Sequence, residues 1–314
     1  MLSENKFHVE QIGHFLMSKI ISICNQKGGT GKTTTAVNLA YELSRQHQRI
    51  LLVDMDPQGN STSGIGVDKE SLEKTVYDVL LQRCSPQDAI ISAVHPNLDV
   101  IPCNISLTGA EIELVSALSR ETRLKKAISE VEGSYNYIIV DSPPSLGLLT
   151  LNALTASHSI IVPIQCEFYA LEGVSQLLNT ISLIRDGLNP RLEVEGVLLT
   201  MADFRTNLTN EVIKEIRGYF GDKVYESIIP RNIKLSEAPS YGKPIGLYDL
   251  SSLGAKKYQE LAQEILYIHK SFDTRYLQQQ EAPQTSEPRG PVGPPESVSS
   301  SPGHIEPEPE HGQG

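Results

Sequence analysis

The sequence lacks the marks of several common protein classes. It has no apolar run of about 18 residues, so we expect no membrane span, and residues 1–16 contain no apolar signal-peptide core. Its four cysteines are scattered without any C-x-x-C pair, which favours buried, reduced thiols over a disulfide framework or metal site. The net charge is −11, which argues against a chain that binds nucleic acid over its whole surface.

The acidic charge is unevenly distributed. Residues 1–200 carry 15 basic and 22 acidic side chains, residues 271–314 carry 2 and 7, but residues 201–270 carry 10 and 9. A cationic surface, where one exists, therefore falls in residues 201–270. Its candidates are Arg205, Lys214, Arg217, Arg231, Lys234 and Lys243. A solvated face is the ordinary explanation of such charges, and contacts with DNA phosphates, which carry no sequence information, are the functional one.

Three segments differ in composition. Residues 1–18 are polar and precede the first predicted strand, and they are either a short N-terminal arm or an artefact of an upstream start. Residues 19–270 contain the alternating apolar segments of a folded domain. Residues 271–314 hold 8 of the 19 prolines, a serine run and Glu-Pro repeats. This segment has too little apolar surface to offset the entropy that it would lose on folding, so we expect 271–314 to be a disordered acidic tail.

Apolar strands alternate with helical patterns through the folded domain. Strands are predicted at residues 20–23, 49–56, 98–102, 137–141, 159–164, 194–200 and 223–229, and helices at 36–43, 108–118, 122–131, 170–186, 209–219 and 255–269. This alternation predicts an α/β fold with a parallel, doubly wound sheet and helices on both faces. Ligands of such sheets bind at the carboxyl ends of the strands.

A glycine-rich turn separates the first strand from the first helix. It reads KGGTGKTT, formed by Lys27, Gly28, Gly29, Thr30, Gly31, Lys32, Thr33 and Thr34. Glycines let backbone N–H groups converge on phosphates, and the start of a helix adds its dipole. We therefore predict a nucleotide phosphate loop, and with it the sheet of a P-loop NTPase. In this loop Lys32 binds the β- and γ-phosphates and Thr33 offers its hydroxyl to Mg²⁺.

Three carboxylates come directly after predicted strands. Asp54 and Asp56 end the second strand on one face, because strand side chains alternate. Asp141 precedes Ser-Pro-Pro at the end of the fourth strand and suits a Walker B residue, which orients Mg²⁺ or its waters. A buried structural carboxylate is the alternative, but carboxylates grouped beside a phosphate site are costly without a metal or water to use them.

The loop departs from the usual pattern, because Gln26 stands where the first glycine would be and Lys27 follows it. In this it resembles the deviant Walker A loop of the ParA/MinD ATPases. The segments VDMDPQGN (53–60), VDSPP (140–144), and IPRN with LSEAPS (229–240) are similar to those of Soj-type ParA, a group of chromosome-partitioning ATPases. The resemblance covers about residues 19–270.

This resemblance implies a weak, Mg²⁺-dependent ATPase with ATP and Mg²⁺ as cofactors. It assigns Lys27 to the partner subunit's nucleotide across a dimer interface. It implies that Asp56 positions or activates the attacking water, and that Asp54 lies with Thr33 and Asp141 around Mg²⁺. It also implies that Pro230, Arg231 and Asn232 approach the adenine.

The resemblance further implies a homodimer on ATP binding, non-specific double-stranded DNA as ligand of that dimer, and a ParB-like DNA-binding partner that stimulates hydrolysis. The expected location is cytoplasmic and nucleoid-associated, with no membrane. The predicted DNA contacts are Arg205, Lys214, Arg217, Lys234 and Lys243. A MinD-like membrane-cycling regulator, a positioning ATPase for a protein cargo, and an iron–sulfur reductase or tyrosine kinase of related fold stay open as alternatives.

Overall fold

The computed structural model describes residues 18–281 except 168, 169 and 171. The chain divides into two compact units, residues 1–270 and 271–314. The predicted arm at 1–18 lies almost wholly outside the described residues, as does the predicted tail from residue 282 onward. In the described part of the chain, no helix has the length and apolarity to cross a bilayer.

The first unit alternates strands and helices as expected. The strands are β1 (Lys19–Ile23), β2 (Ile50–Asp54), β3 (Ile91–His95), β4 (Leu98–Ile101), β5 (Tyr137–Asp141), β6 (Ser159–Gln165) and β7 (Glu193–Thr200). The helices are α1 (Lys32–Arg45), α2 (Asn60–Gly64), α3 (Val76–Leu80), α4 (Pro86–Ala89), α5 (Leu107–Glu113), α6 (Arg123–Ser129), α7 (Leu148–Ala156), α8 (Glu172–Gly187), α9 (Asn207–Phe220), α10 (Ile233–Glu237), α11 (Ile245–Tyr248) and α12 (Leu253–Glu281).

These seven strands form one sheet in the order β3-β4-β2-β5-β1-β6-β7. Every neighbouring pair is parallel except β3 with β4 at one edge. The central strands align closely: Ile23 pairs with Asp141, and Asp54 pairs with Asp141 from the other side. The predicted doubly wound α/β sheet is confirmed, and its register brings three strand ends to one line.

Side chains of the central strands alternate between two cores. Ile21, Leu52 and Ile139 join one buried cluster, which includes residues of α1 and α12. Leu51 and Ile138 join a second cluster on the opposite face, with residues of α3, α6 and α7. Both faces are therefore covered by helices, which is why the strands are apolar at nearly every position.

The predicted amphipathic helix at the end of the domain packs onto the sheet. Tyr258, Leu261, Ala262 and Ile265 of α12 are buried in the same core as α1. The helix runs on to Glu281, past the expected domain boundary at residue 270, so the first residues of the predicted tail are helical.

Residues 223–229 were predicted as a seventh strand, and that prediction is wrong. The N–H groups of Tyr225 and Ile229 do donate to carbonyls of β7. Between them, however, the N–H groups of Glu226 and Ser227 donate to the carboxylate of Glu264 on α12, at 2.7 and 3.0 Å. Because these two N–H groups bond a side chain instead of β7, residues 223–229 form no continuous ladder, and an isolated bridge joins Val224 to Val197 of β7. The sheet nevertheless has seven strands, because it includes β3 (Ile91–His95), which the sequence pattern did not indicate.

Candidate nucleotide-binding site

The glycine-rich loop is held from below by polar side chains. Asn25 donates through Nδ2 to the carbonyl of Pro163 at 2.7 Å and accepts the Lys27 N–H at 3.0 Å. Thr200 at the end of β7 donates through Oγ1 to the Thr30 carbonyl at 2.9 Å. The loop thus rests on the ends of β6 and β7, both far away in sequence.

The start of α1 is built without a side-chain cap. Gly31 occupies the N-cap position with φ 88°, in the left-handed region that favours glycine, and it makes no side-chain cap hydrogen bond. The first N–H groups of a helix have no partner within the helix. A phosphate is the ligand that such an end binds best, because N–H donors and the helix dipole both favour negative charge.

Lys32 lies inside the loop rather than on its surface. Its residue is 6% exposed, and its Nζ donates to the Lys27 carbonyl at 3.0 Å. Burial lowers the pKa of the Lys32 ammonium, and the nearby carboxylates of Asp141 and Asp56 counteract that shift. The Lys32 ammonium is therefore a largely desolvated cation inside the loop, where water screens its attraction for an anion only weakly.

Asp54 is fully buried and fully engaged. Its Oδ2 accepts the N–H and the hydroxyl of Thr62 at 2.8 and 2.7 Å, and its Oδ1 accepts the N–H of Asp56 at 3.1 Å. Burial raises the pKa of Asp54 to about 6 in spite of these hydrogen bonds. In this structure Asp54 links the backbone of Asp56 to Thr62 on α2. Its place around Mg²⁺ stays a prediction.

Asp141 has one engaged oxygen and one without a partner. Oδ2 accepts the Ser61 hydroxyl at 2.6 Å, whereas Oδ1 is buried and has no hydrogen-bond partner in the described part of the chain. Burial, and then the charge of Asp54, raises the pKa of Asp141 to about 7, and the hydrogen bond from Ser61 and the nearby Thr33 hydroxyl oppose that shift. A buried carboxylate oxygen left unpaired is costly unless a cation completes it.

This donor set fits Mg²⁺. Mg²⁺ keeps several waters and binds through one or two carboxylates plus phosphate oxygens, so it needs few protein ligands. Thr33, in the first turn of α1, supplies a hydroxyl, and Asp141, at the end of β5, supplies the free carboxylate oxygen. Within residues 18–281 as described, no three His, Cys, Asp or Glu side chains are grouped as a metal site.

Asp56 follows two residues after Asp54 and is 8% exposed. Its Oδ1 accepts the Gln58 N–H at 3.0 Å. The turn that follows needs a glycine at position 59. Gly59 has a φ of +60°, and a Cβ added there would lie 2.6 Å from the Cys103 carbonyl oxygen, so no side chain fits. Asp56 is therefore a fixed carboxylate at the edge of the site, less enclosed than Asp54 and Asp141.

A cavity of about 500 Å³ opens beside the loop. Its walls are Gly31, Thr34, Thr200, Met201, Ile229, Pro230, Arg231, Asn232, Ile233, Leu235, Ser236, Pro239 and Tyr258. The predicted adenine residues Pro230, Arg231 and Asn232 thus share one cavity with the phosphate loop. Thr200 and Tyr258 were missed by sequence reasoning, since neither belongs to a motif; Tyr258 reaches the site from α12, and its hydroxyl lies 3.2 Å from the Thr35 hydroxyl.

Lys27 does not turn into its own loop. Its ammonium forms an ion pair with Glu167, which follows the end of β6, and both side chains are about two-fifths exposed. Its backbone is fixed by Asn25 and by Lys32, so only the side chain is free to change partner. The sequence did not indicate Glu167.

The predicted DNA contacts are exposed or half-buried but not all unpaired. Arg205 binds Asp203, Arg217 binds Glu226 through two hydrogen bonds, and Lys234 binds Glu237. Lys214 and Lys243 are exposed, and their ammonium groups are therefore accessible to an anionic ligand.

Sheet, loop and strand-end carboxylates together define a phosphate-loop NTPase. A family model described as an AAA domain matches residues 18–194. The chain is 59% identical over 249 residues to the sporulation initiation inhibitor protein Soj of Bacillus subtilis (strain 168), covering 79% of this chain and 98% of that protein. It is 52% identical over 254 residues to the chromosome partitioning protein ParA of Myxococcus xanthus (strain DK1622), covering 81% and 90%. The chain belongs to the ParA/Soj family of chromosome-partitioning ATPases.

The fold is similar to that of a solved structure with ligands. The cobyrinic acid a,c-diamide synthase from Mycobacterium smegmatis, with bound ATP analog and magnesium, has a TM-score of 0.72 and 38% identity, covering 81% of this chain and 96% of that one. The two curated relatives are more similar in sequence and carry a different name, so the structural likeness bears on the fold and the nucleotide site rather than on that activity.

Proposed function

We propose that this chain is an ATP-dependent dimerising switch for DNA segregation. It binds Mg²⁺ and ATP, closes into a homodimer, holds non-specific DNA in that state, and hydrolyses ATP slowly until a ParB-like DNA-binding partner stimulates it. The observation that carries this proposal is the shared cavity, in which the uncapped start of α1 and the segment 230–232 face one space of about 500 Å³.

The phosphate loop supplies binding. Lys32 and the N–H groups at the start of α1 receive the β- and γ-phosphates, and the cavity beyond Gly31 receives the base against Pro230 and Asn232. The volume is in the range of ordinary ligand pockets, which hold a molecule of nucleotide size.

The strand ends supply the chemistry. Thr33 and Asp141 would hold Mg²⁺, which neutralises charge developing on the phosphate oxygens. Asp56, fixed by Gln58 and by the buried Asp54, accepts a hydrogen bond from the attacking water and orients it. Such orientation, rather than covalent chemistry, is what phosphoryl transfer requires from a protein.

The DNA step follows from charge and symmetry. One subunit has a net negative charge, and the 10 cations of residues 201–270 are nearly balanced by 9 acidic side chains, so one subunit alone offers too few phosphate contacts for useful affinity. Two subunits joined on one duplex double the phosphate contacts, and the second set binds at a high effective concentration. DNA binding is therefore coupled to dimerisation, and nucleoid association to the ATP state.

Sedimentation velocity with three nucleotide states tests the proposal. The chain should sediment as a monomer without nucleotide and with Mg²⁺-ADP, and as a dimer with Mg²⁺-ATP. Addition of DNA and a ParB-like partner should raise the hydrolysis rate. Identical sedimentation in all three states would overturn the switch.

A further inference from the structure

The structure assigns Glu167 the role of a positioning residue for Lys27: within one subunit it holds the lysine away from the dimer face until nucleotide and a second subunit compete for it. This inference rests on the proposed function, because it concerns the step at which two subunits close. It is carried by the ion pair between two side chains 140 positions apart in sequence.

Both ends of the pair are fixed by backbone contacts. The Lys27 N–H binds Asn25 and its carbonyl receives the Lys32 ammonium, so the main chain cannot swing. Glu167 follows a turn in which its N–H donates to the Gln165 carbonyl at 2.9 Å, while the Cys166 N–H donates to the Thr200 carbonyl at 3.0 Å. The carboxylate is therefore presented to Lys27 by the sheet itself.

The pair is built for exchange rather than for stability. Lys27 and Glu167 are 40% and 38% exposed, and ion pairs at such positions contribute little to folding. By contrast, the other loop lysine, Lys32, is buried and bound to a carbonyl. A phosphate competes well for Lys27, because its oxygens carry more charge than one carboxylate.

The consequence is an energetic cost of dimerisation. A subunit whose Lys27 is paired must release the lysine before the dimer closes. The apparent dimerisation constant is therefore multiplied, once for each subunit, by the fraction of subunits in which Lys27 is unpaired. Two pairs are released in each dimer. If each is worth what exposed pairs usually are, about 0.2–1 kcal/mol, their joint loss changes the half-dimerisation concentration roughly two- to thirtyfold.

Glu167→Gln tests this with a non-hydrolysable ATP analogue and Mg²⁺. The variant keeps the side-chain shape and removes the charge. We expect half-dimerisation at a roughly two- to thirtyfold lower protein concentration than wild type, measured by sedimentation velocity, with ADP affinity and melting temperature unchanged. Glu113→Gln is the matched control: it breaks the similarly exposed Arg83–Glu113 pair and should leave dimerisation as in wild type.

Two further outcomes decide the proposal. In a Lys27→Ala background, Glu167→Gln should bring no gain, because nothing remains to be released; a gain there would show a general charge effect and overturn the role. Weaker or unchanged dimerisation of Glu167→Gln would overturn it as well. If wild type itself stays monomeric with the analogue, the proposed switch fails instead, so the two failures are distinguishable.

Discussion

Asp54 and Asp141 are register partners at the carboxyl ends of the adjacent parallel strands β2 and β5, and both carboxylates are fully buried. Burial raises the pKa of Asp54 to about 6 and that of Asp141 to about 7, and the like charge of Asp54 adds to the shift of Asp141. Ionisation of these two carboxylates is therefore unfavourable in the nucleotide-free site, and a cation at the free Oδ1 of Asp141 would make it favourable.

Lys32→Ala should severely weaken nucleotide binding. The substitution removes a buried cation whose charge-assisted hydrogen bonds to phosphate are worth about 1.5–3 kcal/mol, so calorimetry with Mg²⁺ and ATP should show affinity lowered about ten- to 150-fold. Lys257→Ala, on the surface of α12 and paired with Glu260, is the control and should bind as wild type. Unchanged affinity in Lys32→Ala would remove the phosphate loop from the account.

Asp56→Ala should separate binding from turnover. Since Asp56 is assigned to the attacking water and not to the phosphates, the variant should bind ATP and dimerise but lose hydrolysis by about 10²-fold or more. Steady-state phosphate release and sedimentation measure the two effects. A loss of ATP affinity as large as that of Lys32→Ala would contradict the role.

Asp141→Asn should stabilise the nucleotide-free protein at high pH. The folded pKa of about 7 lies above the ordinary value of 3.8, so the folded state binds the extra proton between these values. Wild type therefore gains stability as pH falls from 8 to about 4, and the variant does not. The advantage of Asn, measured by urea unfolding without Mg²⁺, should shrink by about 2 kcal/mol between pH 8 and pH 5.

Asp203→Asn is the control of opposite sign. The hydrogen bonds and charge of Arg205 hold the pKa of Asp203 at about 2. A lowered folded pKa contributes stability above about pH 4, which diminishes as pH falls toward 2. The Asn variant should therefore be slightly less stable than wild type at pH 8. Parallel behaviour of both variants would show that burial of Asp141 is not the cause.

His269→Phe probes a buried network at the other end of the sheet. Burial tends to raise the pKa of Glu195, but hydrogen bonds from His269, Ser159 and Tyr225 outweigh it and leave the pKa lowered. The phenylalanine keeps the ring stacked on Tyr137 but removes a donor.

The expected cost of His269→Phe is about 1–3 kcal/mol at pH 7. The lowered pKa of Glu195 contributes stability above about pH 4.5, which is lost as pH falls through the folded value, so this part of the cost should disappear in acid. The cost of losing the hydrogen bond between the Tyr137 hydroxyl and His269 Nδ1 should remain. Tyr267→Phe, exposed on the same helix, should change stability by less than about 0.5 kcal/mol. A pH-independent cost in His269→Phe would contradict the charge argument.

The sequence predicts the phosphate loop and the strand-end carboxylates because their signals are local. The loop, and the carboxylates that end β2 and β5, each lie within a few residues of an apolar strand, so periodicity locates them. The pairing of Lys27 with Glu167 and the cavity wall at Tyr258 depend on long-range packing, which no local pattern encodes. Residues 223–229 have a strand-like sequence, but Glu264 takes their backbone donors, so tertiary context overrode propensity.

Arg205→Glu with Lys234→Glu should weaken binding to all DNA sequences alike. Removal of one cation from a DNA phosphate flattens the plot of log K against log salt by about 0.9. Because Lys234 is paired with Glu237 three residues on, Lys257→Glu is a matched control, with the same spacing to Glu260. Random-sequence DNA bound by the double variant as tightly as by wild type would move the DNA-binding surface elsewhere, with Lys214 and Lys243 tested next.

The most direct measurement is a titration of random-sequence double-stranded DNA with wild-type protein in Mg²⁺-ATP, Mg²⁺-ADP and no nucleotide, at fixed salt. Fluorescence anisotropy of a labelled duplex reports the affinity. The account predicts saturable binding in ATP and at least about tenfold weaker binding in the other two states, because only the dimer joins two cationic surfaces. Equal affinity with ADP and ATP would contradict the coupling of dimerisation to DNA binding.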